Sequence, residues 1–144
     1  MLKTISLAAL LLMAFSVAGL VIRESLFSLQ PVAIIMQIVA AALMIWARIS
    51  FGRRSFHAAA NPTSGGLVTT GPYRYIRHPI YSAICIFIWP GILSHLSLVN
   101  ILLGVILFAG VIIRILCEEQ MIAKVYPEYR EYALTTKRVL PYIL

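Results

Sequence analysis

The stretch IYSAICIFIWPGILSHLSLVNILLGVILFAGVII, Ile80 to Ile113, contains no charged residue. As one helix rising 1.5 Å per residue it would run about 50 Å, well past the ~30 Å hydrocarbon core of a bilayer. It must therefore fold back on itself. The polar break is Ser94-His95-Leu96-Ser97, with Asn100 just beyond, and Pro90-Gly91 is placed to bend the approach. The reading is a tight helical hairpin whose second arm ends near Cys117.

The rest of the chain agrees with a membrane setting. It is 61% hydrophobic and 12% charged, with a mean hydropathy of +0.93. Soluble domains carry about a quarter charged residues. Thr4 to Ile22 is a second charge-free run after Lys3. Ser16-Val17-Ala18 resembles a signal-peptide cleavage site, but the run continues to Ile22, longer than an ordinary signal core, which favours a retained helix. A further span is expected from Ser25 to Ala47, with Pro31 near its start, where a missing N–H costs little. The expectation is an all-α integral membrane protein of about four transmembrane helices, with a C-terminal hairpin and a cytoplasmic interfacial tail. Residues 1–47 would supply two N-terminal helices, and 48–144 a core of loop, hairpin and tail.

Charge placement orients this arrangement. Lys3, Arg48, Arg53, Arg54, Arg74, Arg77, Arg114, Lys124, Arg130, Lys137 and Arg138 fall on one side, and Arg23 alone on the other. The positive-inside rule makes the crowded side cytoplasmic, so both termini, and any site built from these residues, are expected there. The formal charge of +7 thus reflects topology and contact with the lipid bilayer, not nucleic acid. Cys85 and Cys117 lie in apolar surroundings without metal-ligand spacing, so no metal site is expected.

Between the spans, Arg48 to Pro79 is a long polar connection, with linker chemistry at Asn61-Pro62-Thr63-Ser64-Gly65-Gly66. It closes on GPYRYIRHPIYSA, residues 71–83. Its tyrosines alone could form an interfacial aromatic belt, and its arginines could bind lipid phosphate. Their density beside Gly71-Pro72 and Pro79 points instead to a specific backbone course. The hairpin returns Arg114, Glu118 and Glu119 to the membrane face of Arg77, His78 and Tyr81. Arg114 and Glu118 are four apart and share a helix face. A snorkelling arginine with a carboxylate beside it is the plainer reading, although ionisable residues at membrane depth usually face an interior. In the tail an amphipathic helix is expected from Glu118 to about Tyr126, then a second short element. Tyr129 and Tyr132 serve there as belt or lid. His57 and His95 carry no expected role.

No Ser-His-Asp pattern, HExxH, Walker loop or GxGxxG is present. A small four-helix transporter is the rival class, but it would carry an acidic coupling residue in a span, commonly the first, and Thr4–Ile22 has none. A non-catalytic scaffold is a third.

GGLVTTGPYRYIRHPIY, an apolar hairpin, R-x-x-x-EE and YPEYREYALTTKRVLPYI together resemble the isoprenylcysteine carboxyl methyltransferase family, within the membrane methyltransferases that include phospholipid methyltransferases. The resemblance covers roughly residues 65 to 143. It implies S-adenosyl-L-methionine as cofactor, held between a helix bundle and the cytoplasmic tail. By matching position, Leu67, Val68, Tyr73, His78, Pro79, Tyr81 and Glu118 would bind the cofactor. Arg114 and Arg77 would be the catalytic candidates, with Arg114 on the substrate side. Glu119, Tyr132 and Arg138 fall on signature positions. Gly65 departs from the histidine of eukaryotic members, and Tyr126-Pro127-Glu128 from a longer Phe-Gly-Glu-Glu run. The implied reaction is carboxyl O-methylation of a lipidic or prenylated, isoprenylcysteine-like acceptor, with N-methylation of a phospholipid as the alternative. The compact length leans towards a bacterial cytoplasmic membrane.

Overall fold

The computed structural model describes residues 1–52 and 66–139. Arg53, Arg54, His57, the linker at 61–65 and the final Pro141-Tyr142-Ile143 lie outside the described residues. The elements are α1 (Leu2–Ile22), α2 (Pro31–Phe51), a 3-10 turn (Gly71–Arg74), α3 (Pro79–Ser94), α4 (Leu98–Val125) and α5 (Tyr129–Thr135). The described residues contain no strand, only an isolated parallel bridge between Ile76 and Lys137.

The hairpin forms at the expected break. The Ser97 hydroxyl caps α4 by accepting from the Asn100 N–H (3.2 Å), so the second arm starts one residue later. α1, α2 and α4 are long and apolar enough to cross a membrane, and α3 is a shorter apolar helix of 16 residues. This is an all-α membrane protein.

Two boundaries differ from expectation. α2 starts at Pro31, not Ser25, because residues 23–30 form a hydrogen-bonded loop. There the Ser25 hydroxyl donates to the Arg23 carbonyl, the Ser28 hydroxyl accepts from the Gln30 N–H, and Glu24 turns at φ 53°. α4 does not end near Cys117 but runs unbroken to Val125, so the expected helix from Glu118 is its continuation. Glutamate and lysine are good helix formers, and leaving the bilayer does not by itself end a helix.

Packing follows a spacing of three and four. The buried stripe of α1 is Ser6, Ala9, Met13, Ser16 and Leu20, and it meets α4 through Leu103, Leu107, Gly110 and Arg114. Small residues allow the close approach usual between membrane helices. A Cβ at Gly110 would lie 2.7 Å from Met13 Cγ and 3.1 Å from the Ala9 carbonyl. α2 packs chiefly on α3, and its buried Gln37 is satisfied by the Leu26 and Phe87 carbonyls (2.9 and 3.2 Å). Met13, Leu20, Tyr81, Ile88, Ile92, Leu107, Val111 and Ile115 build the common core.

The two ends of the bundle are chemically distinct. At one end Arg23 donates to Asn100 (2.6 Å) and Ser97 (3.3 Å), tying the first loop to the hairpin turn. His95 joins this end through the Phe27 carbonyl (3.0 Å). The other end gathers Lys3, Arg48, Arg74, Arg77, Arg114 and the basic tail. The start of α1 packs there beside Arg114, and the end of α2 beside Gly71.

Candidate active site

Two helix starts and one continuous helix place the polar side chains. Gly71 has φ 60°, and a Cβ there would lie 2.1 Å from Ser50 Oγ. Only glycine meets both conditions cheaply. The turn it begins sets Tyr73 against Phe51, with ring centroids 5.5 Å apart. Pro79 then opens α3 at a position where its lost N–H has no partner to lose, and it is itself buried.

On α4, Arg114 and Glu118 share a face as the spacing predicts, and Tyr81 of α3 joins them. The Tyr81 hydroxyl donates to Glu118 Oε1 (2.5 Å) and accepts from Arg114 Nε (2.7 Å). Arg114 Nη2 donates to Glu118 Oε1 (3.2 Å), and Nη1 to the Ser6 carbonyl of α1 (3.3 Å). Three helices therefore hold this arginine, which is only 5% exposed.

Beside the triad lies a cleft of roughly 500 Å³, part of it open to solvent. Leu67, Val68, Tyr73, Arg77 and His78 line it, as do Phe51, Gly66, Ile122, Tyr126, Tyr129 and Tyr132. Burial pushes the Tyr132 hydroxyl up to about 12, and burial first holds Tyr73 and Tyr129 well above the ordinary tyrosine value. These phenols stay protonated at neutral pH. Tyr132 spends its proton on the Tyr73 carbonyl (2.6 Å).

Of the residues singled out from sequence, Leu67, Val68, Tyr73, Arg77 and His78 meet at the cleft. Tyr81, Arg114 and Glu118 form the neighbouring triad. His78 joins the two groups: it lines the cleft, and its Nδ1 lies 3.7 Å from Glu118 Oε2. Arg77 directs Nε to Glu119 of α4 (3.1 Å) and Nη1 to the Ala133 and Thr136 carbonyls, so its visible bonds join α4 to the tail. Phe51, Ile122 and Tyr126 were not expected at the site. For the last two the signal is the four-residue spacing Arg114, Glu118, Ile122, Tyr126, which extends one face of α4 past the membrane edge.

The family described as phospholipid methyltransferase matches residues 27–129, well over half of the chain. The chain belongs to the phospholipid methyltransferase family. No curated protein and no solved structure matches it significantly. As a phospholipid methyltransferase family member it is a membrane enzyme that uses S-adenosylmethionine as methyl donor. The family is closely related to the isoprenylcysteine carboxyl methyltransferases that the motifs resemble. The match takes in α2, the turn, α3 and α4, and leaves out α1 and everything after Tyr129.

The residues present fit such a donor. The cleft walls are apolar and aromatic, as is usual for small-molecule sites. These surfaces suit a flat base, while the neighbouring Glu118 carboxylate suits an ammonium group.

Proposed function

We propose that this enzyme methylates the polar head of a membrane-resident, lipidic acceptor, with the donor in the cleft and the acceptor at Arg114. The observation that carries the reading is the contact chain cleft–His78–Glu118–Arg114. It joins a pocket open to water to an arginine at the edge of an apolar span.

In this reading Leu67, Val68 and Tyr73 hold the donor's apolar part, and Pro79 fixes the backbone beside it. His78, Tyr81 and Glu118 face its amino-acid end, Glu118 as counter-charge. Arg114 orients the acceptor, and Arg77 shapes the cleft wall. A sulfonium donor supplies a methyl group ready for in-line displacement, which needs no enzyme nucleophile. The work left to the chain is therefore positioning and exclusion of water.

Two acceptor chemistries are favoured by different observations. A buried guanidinium favours a carboxylate acceptor and O-methylation. The family match favours a phospholipid amine and N-methylation. Transfer from methyl-labelled donor in reconstituted membranes, followed by lipid extraction, decides between them. A methyl ester releases volatile labelled methanol in mild base, whereas an N-methyl group stays on the non-volatile headgroup. No label in any lipidic product overturns the reading.

We further place both termini and the cleft on the cytoplasmic side of a bacterial inner membrane, because the basic residues cluster at that end. A C-terminal reporter should then be active only when functional in the cytoplasm. Activity confined to the outside reverses the topology.

A further inference from the structure

Glu119 does not line the cleft, yet three cationic or imidazole groups converge on it. Arg77 Nε lies 3.1 Å from Oε1, His78 Nε2 3.4 Å from Oε1, and Arg138 Nη2 3.0 Å from Oε2. Arg77 and His78 are cleft walls, whereas Arg138 belongs to the segment after α5. That segment runs as a strap along the opening stretch of the site. Arg77 N–H donates to the Lys137 carbonyl (2.7 Å), His78 N–H to Arg138 (3.0 Å), and Lys137 N–H to Tyr75 (3.2 Å). The Ser82 hydroxyl donates to the Val139 carbonyl. The strap lies beyond the residues matched by the family.

We propose that Glu119 and Arg138 are positioning residues that fasten this strap against the cleft and so set the affinity for the methyl donor without touching it. The proposal rests on the reading that the cleft holds S-adenosylmethionine. Glu119 is the anion around which Arg77, His78 and Arg138 gather. Without its charge the two arginines repel each other, and the strap loses one of the side-chain links that back its short ladder. The Glu119 carboxylate is largely enclosed, but the Arg138 side chain is 49% exposed. The fastening is therefore open to screening by salt, since charges at an exposed pair are shielded over about 8 Å at physiological ionic strength.

The experiment compares wild type, Glu119→Gln, Arg138→Gln and Arg138→Lys in nanodiscs, titrated with S-adenosylhomocysteine at low and high sodium chloride. Hydrogen exchange at 136–139 is read without ligand. Exposed pairs contribute little, so Arg138→Gln should weaken binding about threefold and Arg138→Lys should recover most of the loss. Glu119→Gln, which takes the charge from all three contacts, should cost at least tenfold, with the donor KM rising more than kcat falls. Salt should weaken wild-type binding more steeply than that of Arg138→Gln. Exchange at the strap should rise in both charge-removing variants. Wild-type affinity, salt response and exchange in Arg138→Gln overturn the proposal. So does faster exchange with unchanged affinity. Failure of the wild type to bind the ligand overturns the cofactor reading itself, and the proposal with it.

Discussion

Substituting Glu118 with glutamine is expected to weaken S-adenosylhomocysteine binding about 100-fold and to remove measurable methyl transfer. Hydrogen bonds to charged groups contribute about 1.5–3 kcal/mol, and every 1.4 kcal/mol is a factor of ten in affinity. The carboxylate accepts from Tyr81 and Arg114 and faces His78. Its neutralisation removes the ion pair with the Arg114 guanidinium, which is only 5% exposed. Breaking a buried pair by neutralising one member is costlier than the pair is stabilising. Tyr81→Phe is the comparison. It removes one neutral donor, keeps the Arg114–Glu118 pair, and should weaken binding only several-fold. Calorimetry on protein in nanodiscs measures both. Wild-type affinity in Glu118→Gln refutes the role given to this carboxylate.

Gly91→Ala should be the most destabilising of the single-methyl additions at the described glycines inside helices. A Cβ there would stand 2.4 Å from the Leu26 carbonyl oxygen and 2.6 Å from that of Ser25. Both are backbone atoms of the loop joining α1 to α2. That loop is pinned by Gln37 at Leu26 and by Asn100 at Ser25 (2.9 Å both). Neither neighbour can swing aside as a side chain would, so α3 must move. Overpacking of this kind costs about 1–3 kcal/mol, or roughly 10 °C in apparent melting temperature at the upper end. Gly52→Ala is the control. Among the described residues its Cβ meets no atom within 4 Å, so it reports the backbone strain of φ 66°, ψ −155° alone, about 1–3 kcal/mol. Equal melting of Gly91→Ala and wild type would show that the loop yields more readily than its hydrogen bonds imply.

Much of this was legible in the residues because charge is scarce in the chain. A run without charge from Ile80 to Ile113 has to turn, and the only polar cluster inside it marks where. Once it turns, Tyr81 and Arg114 come to the same level, and the triad follows from an i, i+4 step. The loop before α2 was less visible. Its serines are apolar enough for a span, and only their short-range hydrogen bonds show that they cap a turn. The strap was invisible for a different reason. Its pairing with Tyr75–His78 joins backbone groups some 60 residues apart, and backbone bonds leave no mark in side-chain patterning. The length of α4 was misjudged because Glu118 and Glu119 look like the end of a membrane segment while being good helix residues.

The arms of the hairpin are unequal, and the difference bears on bilayer thickness. Sixteen residues give α3 a length of about 24 Å, whereas the 28 residues of α4 span about 42 Å. A hydrocarbon slab of ~30 Å is too thick for the first arm and too thin for the second. The lipid around α3 must thin, or the start of that helix must sink beneath the headgroups, each at a modest cost per ångström. Where the shortfall is met at the start of α3, His78 and Tyr81 lie below the neighbouring surface, and the overhanging end of α4 stands above it. The proposed site would then be a dent in the membrane. A lipid head can meet it without being lifted out of its leaflet, and thicker bilayers should make that dent harder to hold.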